Sequence, residues 1–397
     1  MSRANPGRVA ALRALIEVES GGHVEDLLSE FAPSGGPDRG LAWHLALGTL
    51  RWQGALDHVL APYSKRPLER LDSAVLCVLR MGLFEARKSR TPDHAAVHQA
   101  VEAIKAIGLR RASGMVNAIL RKASQQPLSE EPQHVLPGWL ATRWGDHRDW
   151  IARIREPALV SVAGRPPEGV DVTAATIGET PIEGLWTLPS GIGSVTDLEG
   201  FHEGKFWVMD PAAARVADMV VASTKPGGRV LDTCAAPGGK AFRLVHAGLS
   251  VTATDRSPDR LDQMNENLHR LQMSIDMSVH DWSQSAMTSM GTFDTVLVDA
   301  PCTGLGIVRR HPEIMWRRSP GDVTANAIVQ RLILRNAAEH VKPGGALVYA
   351  VCSTESEEGS EVVSDLEGWH VESSWSSAPP LGDEDGFQAF VLRQEVS

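Results

Sequence analysis

At 397 residues the chain is too long for one small core, so two or three domains are expected, and no apolar run approaches the length of a membrane span. An apolar content of 43% with 22% charged residues is that of a soluble globular protein. The net charge of −10 excludes a uniformly basic surface, but residues 1–125 hold 17 Lys+Arg against 12 Asp+Glu while residues 126–397 hold 22 against 37. A basic front module on an acidic body points to a polyanionic partner for the first part.

Arg3, Arg8 and Arg13 run through the first apolar residues, so no signal-peptide core is expected. Cys77, Cys234, Cys302 and Cys352 have neither metal-ligand spacing nor the density of a disulfide framework. No metal is expected, and the compartment is read as cytoplasmic and reducing.

From Arg8 to about Arg121 the pattern is helical. Val9, Leu12, Leu15 and Ile16 recur on one face, as do Leu41, His44, Leu45, Gly48 and Thr49. Pro62, Pro67 and Pro92 separate the segments, and Pro92-Asp93 opens a helix. A helix bundle is predicted over 1–125.

Residues 126–205 read as a linker and a small α/β segment. Pro127 and Pro132 punctuate the linker, Pro137-Gly138-Trp139-Leu140 opens a short helix, and Val170-Asp171-Val172-Thr173 suggests a short strand. The 124–205 stretch holds 6 Lys+Arg against 12 Asp+Glu, which argues against a strong phosphate-binding surface.

From Phe206 to the end, strands alternate with helices, which predicts a parallel sheet covered on both faces. Arg229–Asp232, Val251–Asp255, Asp276–His280, Thr295–Asp299 and Ala346–Val351 are the successive strands. Gln388–Leu392 is expected as a late antiparallel edge strand.

Three stretches carry chemistry. Cys234-Ala235-Ala236-Pro237-Gly238-Gly239-Lys240 joins the first strand to a helix, and its small residues let a ligand approach the backbone and the helix start. It is not the G-x-G-x-x-G dinucleotide fingerprint, which disfavours a dehydrogenase. Asp255 ends the next strand about twenty residues on, where an acid takes ribose hydroxyls. Asp281 follows the third strand, suited to an adenine edge. Together these describe a nucleoside cofactor. Asp299-Ala300-Pro301-Cys302 then ends one strand, and Cys352-Ser353 ends the next, so both thiols face one crevice if the strands are parallel neighbours about 4.8 Å apart.

Paired thiols suit attack on a pyrimidine. A thiolate adding to carbon 6 makes carbon 5 nucleophilic, and a base must later remove the carbon 5 proton so that the thiol can leave. A carboxylate such as Asp299 can bond the ring at N3. Spacing does not rank the two thiols. Cys77 reads as a small buried apolar residue, and Cys234 as lining the loop without reacting.

The motifs Cys234–Lys240, Asp299–Cys302, Arg309-Arg310-His311-Pro312-Glu313-Ile314 with Trp316, Cys352-Ser353 and Asp385-Gly386-Phe387 resemble the Sun/Fmu family of RNA cytosine-5 methyltransferases. In the front part, Asp38-Arg39, Gly48–Arg51, Leu79–Gly82, His94–Val97 and Gly114–Arg121 resemble the NusB-like helical RNA-binding domain. Together they point to the bacterial 16S ribosomal RNA enzymes of the RsmB type. The resemblance implies an all-α NusB-like domain over 1–125 and a Rossmann-type class I methyltransferase domain over 206–397, with the 126–205 segment between. It implies S-adenosylmethionine held by Cys234–Lys240, Asp255, Asp281 and Asp299, with Cys352 as nucleophile and Cys302 assisting product release. Ribosomal RNA is the implied partner, with Arg39, Arg51, Arg309, Arg310, Arg317 and Arg318 as candidate contacts and a monomer as the acting species. The rival reading is a non-catalytic RNA-binding or assembly factor that keeps the fold.

The chain departs from the family pattern in two places. The glutamate-asparagine pair after the nucleophile loop is here Glu358-Gly359, and an Arg-Val-Asn segment is here Val160-Ser161-Val162-Ala163, without its arginine. Both bear on RNA positioning more than on cofactor binding.

Overall fold

The computed structural model describes residues 4–380 and 382–395. The chain forms two compact units. One runs through Pro157 and takes in Val308–Arg317 as well; the other comprises Ala158–Ile307 and the chain from Arg318 on. The contacts divide the chain after Pro157, so the residues that follow 125 pack with the helical unit as far as that point. Short helices at Pro132–Val135, Gly138–Trp144 and Arg148–Arg153 pack into the helical unit through buried Val135, Leu140, Trp144, Trp150 and Ile151.

The helical unit is built around helix Ser73–Lys88, which is buried at Val75 and throughout Cys77–Ala86. Asp72 starts it by accepting from the Ala74 and Val75 amides, satisfying donors the helix itself cannot. A helix buried on all sides needs its polar side chains paired. Arg80 is bonded to Asp57 at 2.8 Å and to Glu19 at 2.9 Å, and Glu85 pairs with Arg8. Burial also pushes the Cys77 thiol up to about 12, with Glu19 adding to the shift, so it behaves as an apolar filler.

Val308–Arg317 belongs to this unit through bonds the sequence did not suggest. Arg51 donates from Nε and Nη2 to the Arg309 carbonyl at 3.0 and 2.9 Å. Trp316 Nε1 donates to the Leu50 carbonyl at 2.9 Å, and Arg317 Nη2 to the Val18 carbonyl at 2.7 Å.

The second unit holds two sheets. Strands β1 (Ser161–Gly164), β2 (Thr173–Ile177), β3 (Thr180–Thr187) and β4 (Phe206–Val208) form an antiparallel sheet in the order β2-β3-β1-β4. Only Thr173 of the run expected at 170–173 is in a strand. The larger sheet contains β5 (Arg229–Asp232), β6 (Ser250–Asp255), β7 (Asp276–Val279), β8 (Phe293–Asp299), β9 (Val341–Val351), β10 (Trp369–Ser376) and β11 (Gln388–Gln394). Its order is β10-β11-β9-β8-β5-β6-β7, with β5 to β9 parallel and β10 and β11 antiparallel. The late strand is antiparallel as expected, but β10 forms the edge outside it. Mostly exposed and polar, β10 carries no apolar run to betray it.

Why β8 and β9 read as unbroken apolar runs is visible in the packing. Val296 and Val298 point into one layer with Leu347, Tyr349 and Val351, while Leu297 joins Val348 and Ala350 on the other. Both faces are covered, so alternation disappears and each side chain contributes about 1.5–3 kcal/mol of burial.

Candidate active site

The strand order reverses between β5 and β8: the chain proceeds outward from β5 through β6 and β7, then resumes at β8 and continues to β9. Open α/β sheets bind ligands outside the carboxyl ends of the strands at such a switch point. Asp232 ends β5 and Asp299 ends β8, so two acids flank the crevice. On the β5 side, the Cys234–Lys240 loop turns through Gly238 at φ +107°, a conformation that disfavours any side chain, and opens helix Gly239–His246. A Cβ on Gly238 would also lie 2.3 Å from Phe242 Cζ.

Asp255 ends β6, 2% exposed, and holds the loop by accepting from the Ala236 amide at 3.2 Å and the Ser257 amide at 3.0 Å. Asp281 accepts from the Ser283 hydroxyl at 2.6 Å and amide at 2.9 Å, and the hydroxyl bond leads in holding its carboxyl below the usual range. Asp232 differs from both. It is 1% exposed, and neither carboxylate oxygen has a partner in good hydrogen-bonding geometry. Burial first, and the Asp299 charge second, raise its carboxyl to about 7.

On the other side of the crevice, β8 and β9 pair in register, Asp299 opposite Ala350. Asp299 Oδ2 accepts from Lys240 Nζ at 2.7 Å. Burial alone would lower the Lys240 pKa, but the Asp299 charge and hydrogen bond, with Cys352 nearby, hold it above the ordinary lysine range. Lys240 Nζ also lies 5.0 Å from the centre of the buried Phe387 ring, which fixes the ammonium from a second side. The thiols of Cys302 and Cys352 meet, Sγ to Sγ, at 3.2 Å. Their hydrogen bond, then burial, then the charges of Cys352 and Glu358 hold the Cys302 thiol well above its ordinary pKa.

A buried carboxylate sets this geometry. Glu358, 0% exposed, accepts from the Thr303 amide at 2.8 Å, the Ser353 hydroxyl at 2.5 Å and Gln330 Nε2 at 3.2 Å, and also from the Thr303 hydroxyl. Thr303 follows Cys302 and Ser353 follows Cys352, so one side chain ties both thiol loops together. Gly306 donates to the Cys352 carbonyl at 3.0 Å and Gly386 to the Gly306 carbonyl at 2.8 Å, which adds the Asp385–Phe387 loop to the same bundle of turns.

Comparison with known proteins agrees with this arrangement. The family model for 16S rRNA methyltransferase RsmB/F matches residues 219–379, and that for the NusB family matches residues 5–125. The ribosomal RNA small subunit methyltransferase B of Pseudomonas putida is 34% identical over 386 residues, spanning 90% of this chain and 88% of that protein. Its counterpart from Thermus thermophilus is 34% identical over 370 residues, spanning 91% and 87%. The chain belongs to the RsmB/F family of 16S rRNA methyltransferases. The crystal structure of PH0851 shares the fold, with a TM-score of 0.80 at 20% identity over 99% of this chain and 100% of that one.

As an RsmB/F-family methyltransferase, the chain uses S-adenosylmethionine as methyl donor. The residues present fit that cofactor. Asp232 is a buried acid whose nearest donor, the Cys234 amide, is out of good hydrogen-bonding geometry, as expected where a cationic ligand supplies a partner. The turn at Gly238 keeps bulk away from the start of helix Gly239–His246, and Asp255 stands at the end of the adjacent strand.

The six arginines separate under the same scrutiny. Arg51 and Arg309 are buried at 6% and 7% exposure, and burial, with the neighbouring Arg309 charge, lowers Arg51 to about 10. Arg309 donates to the Pro157 carbonyl at 2.9 Å. As placed, these two and Arg317 serve the packing of the helical unit. Arg318 Nε donates to the Thr303 carbonyl at 3.0 Å, beside the Cys302 loop. Arg39 is half-buried, its guanidinium 6.0 Å from the Trp43 ring centre, and Arg310 is half-buried. Sequence reasoning passed over Asp232, although it ends its strand as Asp255 and Asp299 do. It also missed the roles of Thr303, Gln330, Ser353 and Glu358, which no local pattern reveals because Thr303 and Gln330 lie 55 and 28 residues from Glu358.

Proposed function

We propose that this chain methylates carbon 5 of a cytosine in small-subunit ribosomal RNA through a covalent cysteine–pyrimidine intermediate. The observation that carries the reading is the contact of the Cys302 and Cys352 sulfurs at 3.2 Å beside the Asp299–Lys240 pair. S-adenosylmethionine, held by Cys234–Lys240, Asp232, Asp255 and Asp281, supplies an electrophilic methyl group when bound. Cys352 is the nucleophile: its thiolate adds to carbon 6, forming a C–S bond and leaving carbon 5 electron-rich. What supports this choice is the resemblance of the Cys352-Ser353 motif to the nucleophile motif of the family. Asp299, fixed by Lys240, accepts from the ring edge at N3 once N3 has taken a proton from solvent, and that proton neutralises the electron pair that thiolate addition pushes onto the ring. Once carbon 5 carries the methyl group its proton leaves to a base, the C–S bond breaks and Cys352 departs as thiolate. Cys302, adjacent to the attacking sulfur, serves this elimination.

The RNA is a substrate of the whole chain in this proposal, with Arg39, Arg310 and Arg318 the candidate phosphate contacts among the six arginines. Among the described residues no helix is long and apolar enough to cross a membrane. The four cysteines are free, which suits a monomer working in the reducing cytoplasm.

The test is a denaturing gel of each thiol variant with unmodified 16S ribosomal RNA and S-adenosylmethionine. Cys352→Ala is expected to lose both methyl transfer and the protein–RNA adduct. Cys302→Ala is expected to accumulate the adduct, because addition needs only the thiolate whereas elimination also needs the proton removed. Adduct trapped by Cys352→Ala and absent from Cys302→Ala reverses the roles. Wild-type turnover in both variants without adduct removes the covalent mechanism.

A further inference from the structure

The loop that carries Cys352 leaves β9 and returns through Glu358 to helix Ser360–Ser364. Glu358 holds its side chains, but two of its carbonyls, those of Ser353 and Glu355, point toward the neighbouring antiparallel strand. Both are met by one group. Gln388, the first residue of β11 and 8% exposed, donates from Nε2 to the Ser353 carbonyl at 3.0 Å and to the Glu355 carbonyl at 2.9 Å. Gln388 is itself fixed by strand pairing opposite Val351, one residue before the nucleophile. Its amide therefore sets the height of the turn just beyond Cys352.

The amide reaches those carbonyls because residue 359 has no side chain. A Cβ on Gly359 would lie 2.1 Å from Gln388 Oε1, 2.5 Å from its Cδ and 2.7 Å from Nε2. Gly359 sits at φ −106° and ψ −104°, and the space beside Gln388 leaves no room for a side chain there. A side chain at 359 and the amide of Gln388 exclude one another. The space beside Gly359 is thus filled by a carboxamide that arrives from β11.

We propose that Gln388 is the positioning residue of the nucleophile loop, and that Gly359 is its steric complement. The carboxamide that holds the loop reaches it across the sheet from 388, through the space that Gly359 leaves open. The proposal rests on the reading of Cys352 as nucleophile, which the thiol variants test separately. Gln388 touches neither RNA nor cofactor in this scheme. It acts only by holding Ser353 and Glu355, and through them the sulfur.

The experiment uses the full chain with unmodified 16S ribosomal RNA transcribed in vitro, reading single-turnover adduct formation and methylation, RNA KM and cofactor affinity. Gln388→Met keeps the volume but removes the donor. It is expected to slow adduct formation by about ten- to a hundredfold, the cost of a nucleophile misplaced by an ångström or so. RNA KM and S-adenosylmethionine affinity should stay within about twofold, since no binding group is lost. Gly359→Asn alone should be equally slow or slower, because its side chain collides with Gln388. Gly359→Asn combined with Gln388→Ala should recover at least about tenfold over Gly359→Asn, the new amide occupying the vacated space. Circular dichroism of each variant separates misfolding from mispositioning, and Gln388→Met carries the test if Gly359→Asn does not fold. Wild-type adduct rates in Gln388→Met overturn the positioning role. A double variant no faster than Gly359→Asn overturns the exchange.

Discussion

Two buried carboxylates on the same sheet edge have opposite surroundings. At the β5–β6 end Asp232 has no partner in good geometry. At the β8–β9 end Glu358 is saturated by donors from Thr303, Ser353 and Gln330. Folding alone cannot favour an unsatisfied buried acid, whereas a saturated one rigidifies whatever it joins. On the proposed function, the difference separates a half of the site that receives the cofactor from a half whose groups fix the two sulfurs.

The largest effect follows from breaking the saturated end. Glu358→Ala leaves the Thr303 amide and its neighbours without their acceptor, and urea unfolding should show a loss of roughly 3 kcal/mol, that of stranding one or two buried donors. Adduct formation should fall with it, while cofactor affinity measured by calorimetry on the folded fraction stays near wild type. Equal loss of cofactor affinity would erase the distinction between the halves. At the receiving end, Asp255→Ala should weaken S-adenosylmethionine binding by about 1–3 kcal/mol, with little change in the adduct formed by pre-bound complex.

A pH series sharpens the same contrast. Asp232 has its carboxyl raised from 3.8 to about 7 in the folded protein. The folded state therefore binds this proton more tightly, and its stabilising effect is complete below about pH 4 and lost as pH rises toward 7. A cationic ligand prefers the ionised form, so S-adenosylmethionine affinity should strengthen with rising pH and level off above about 7, by at most about 1.4 kcal/mol per pH unit. Asp232→Asn should flatten that profile and bind more weakly at pH 8; an unchanged slope in calorimetric titrations would place the titrating group elsewhere.

The smallest effect concerns the front unit. Arg39→Glu should lower RNA affinity modestly and reduce the slope of log affinity against log salt by about one, as for a single phosphate contact. Deleting residues 1–123 is a poorer test than it looks from sequence. It removes the Leu50 and Val18 carbonyls that hold Trp316 and Arg317, and Arg51, which holds Arg309. A filter-binding salt series on Arg39→Glu avoids that disturbance.

The sequence by itself determined the helical front, the five parallel strands, the loop Cys234–Lys240 and the acids and thiols at strand ends. Each is a local signal: periodicity, small residues at a turn, or a reactive side chain after an apolar run. It could not find the edge strand β10. Nor could it show that the arginine-rich stretch at 308–317 packs with the helical unit. Those depend on partners far away in the chain, such as Arg51 with the Arg309 carbonyl, or Glu358 with Thr303. Gly359 shows the limit most clearly. Read along the chain, Gly359 is a loss; in the folded protein it is the room that Gln388 fills. Hydrogen-bonding capacity belongs to a point in space, and only the tertiary structure decides which residue reaches it.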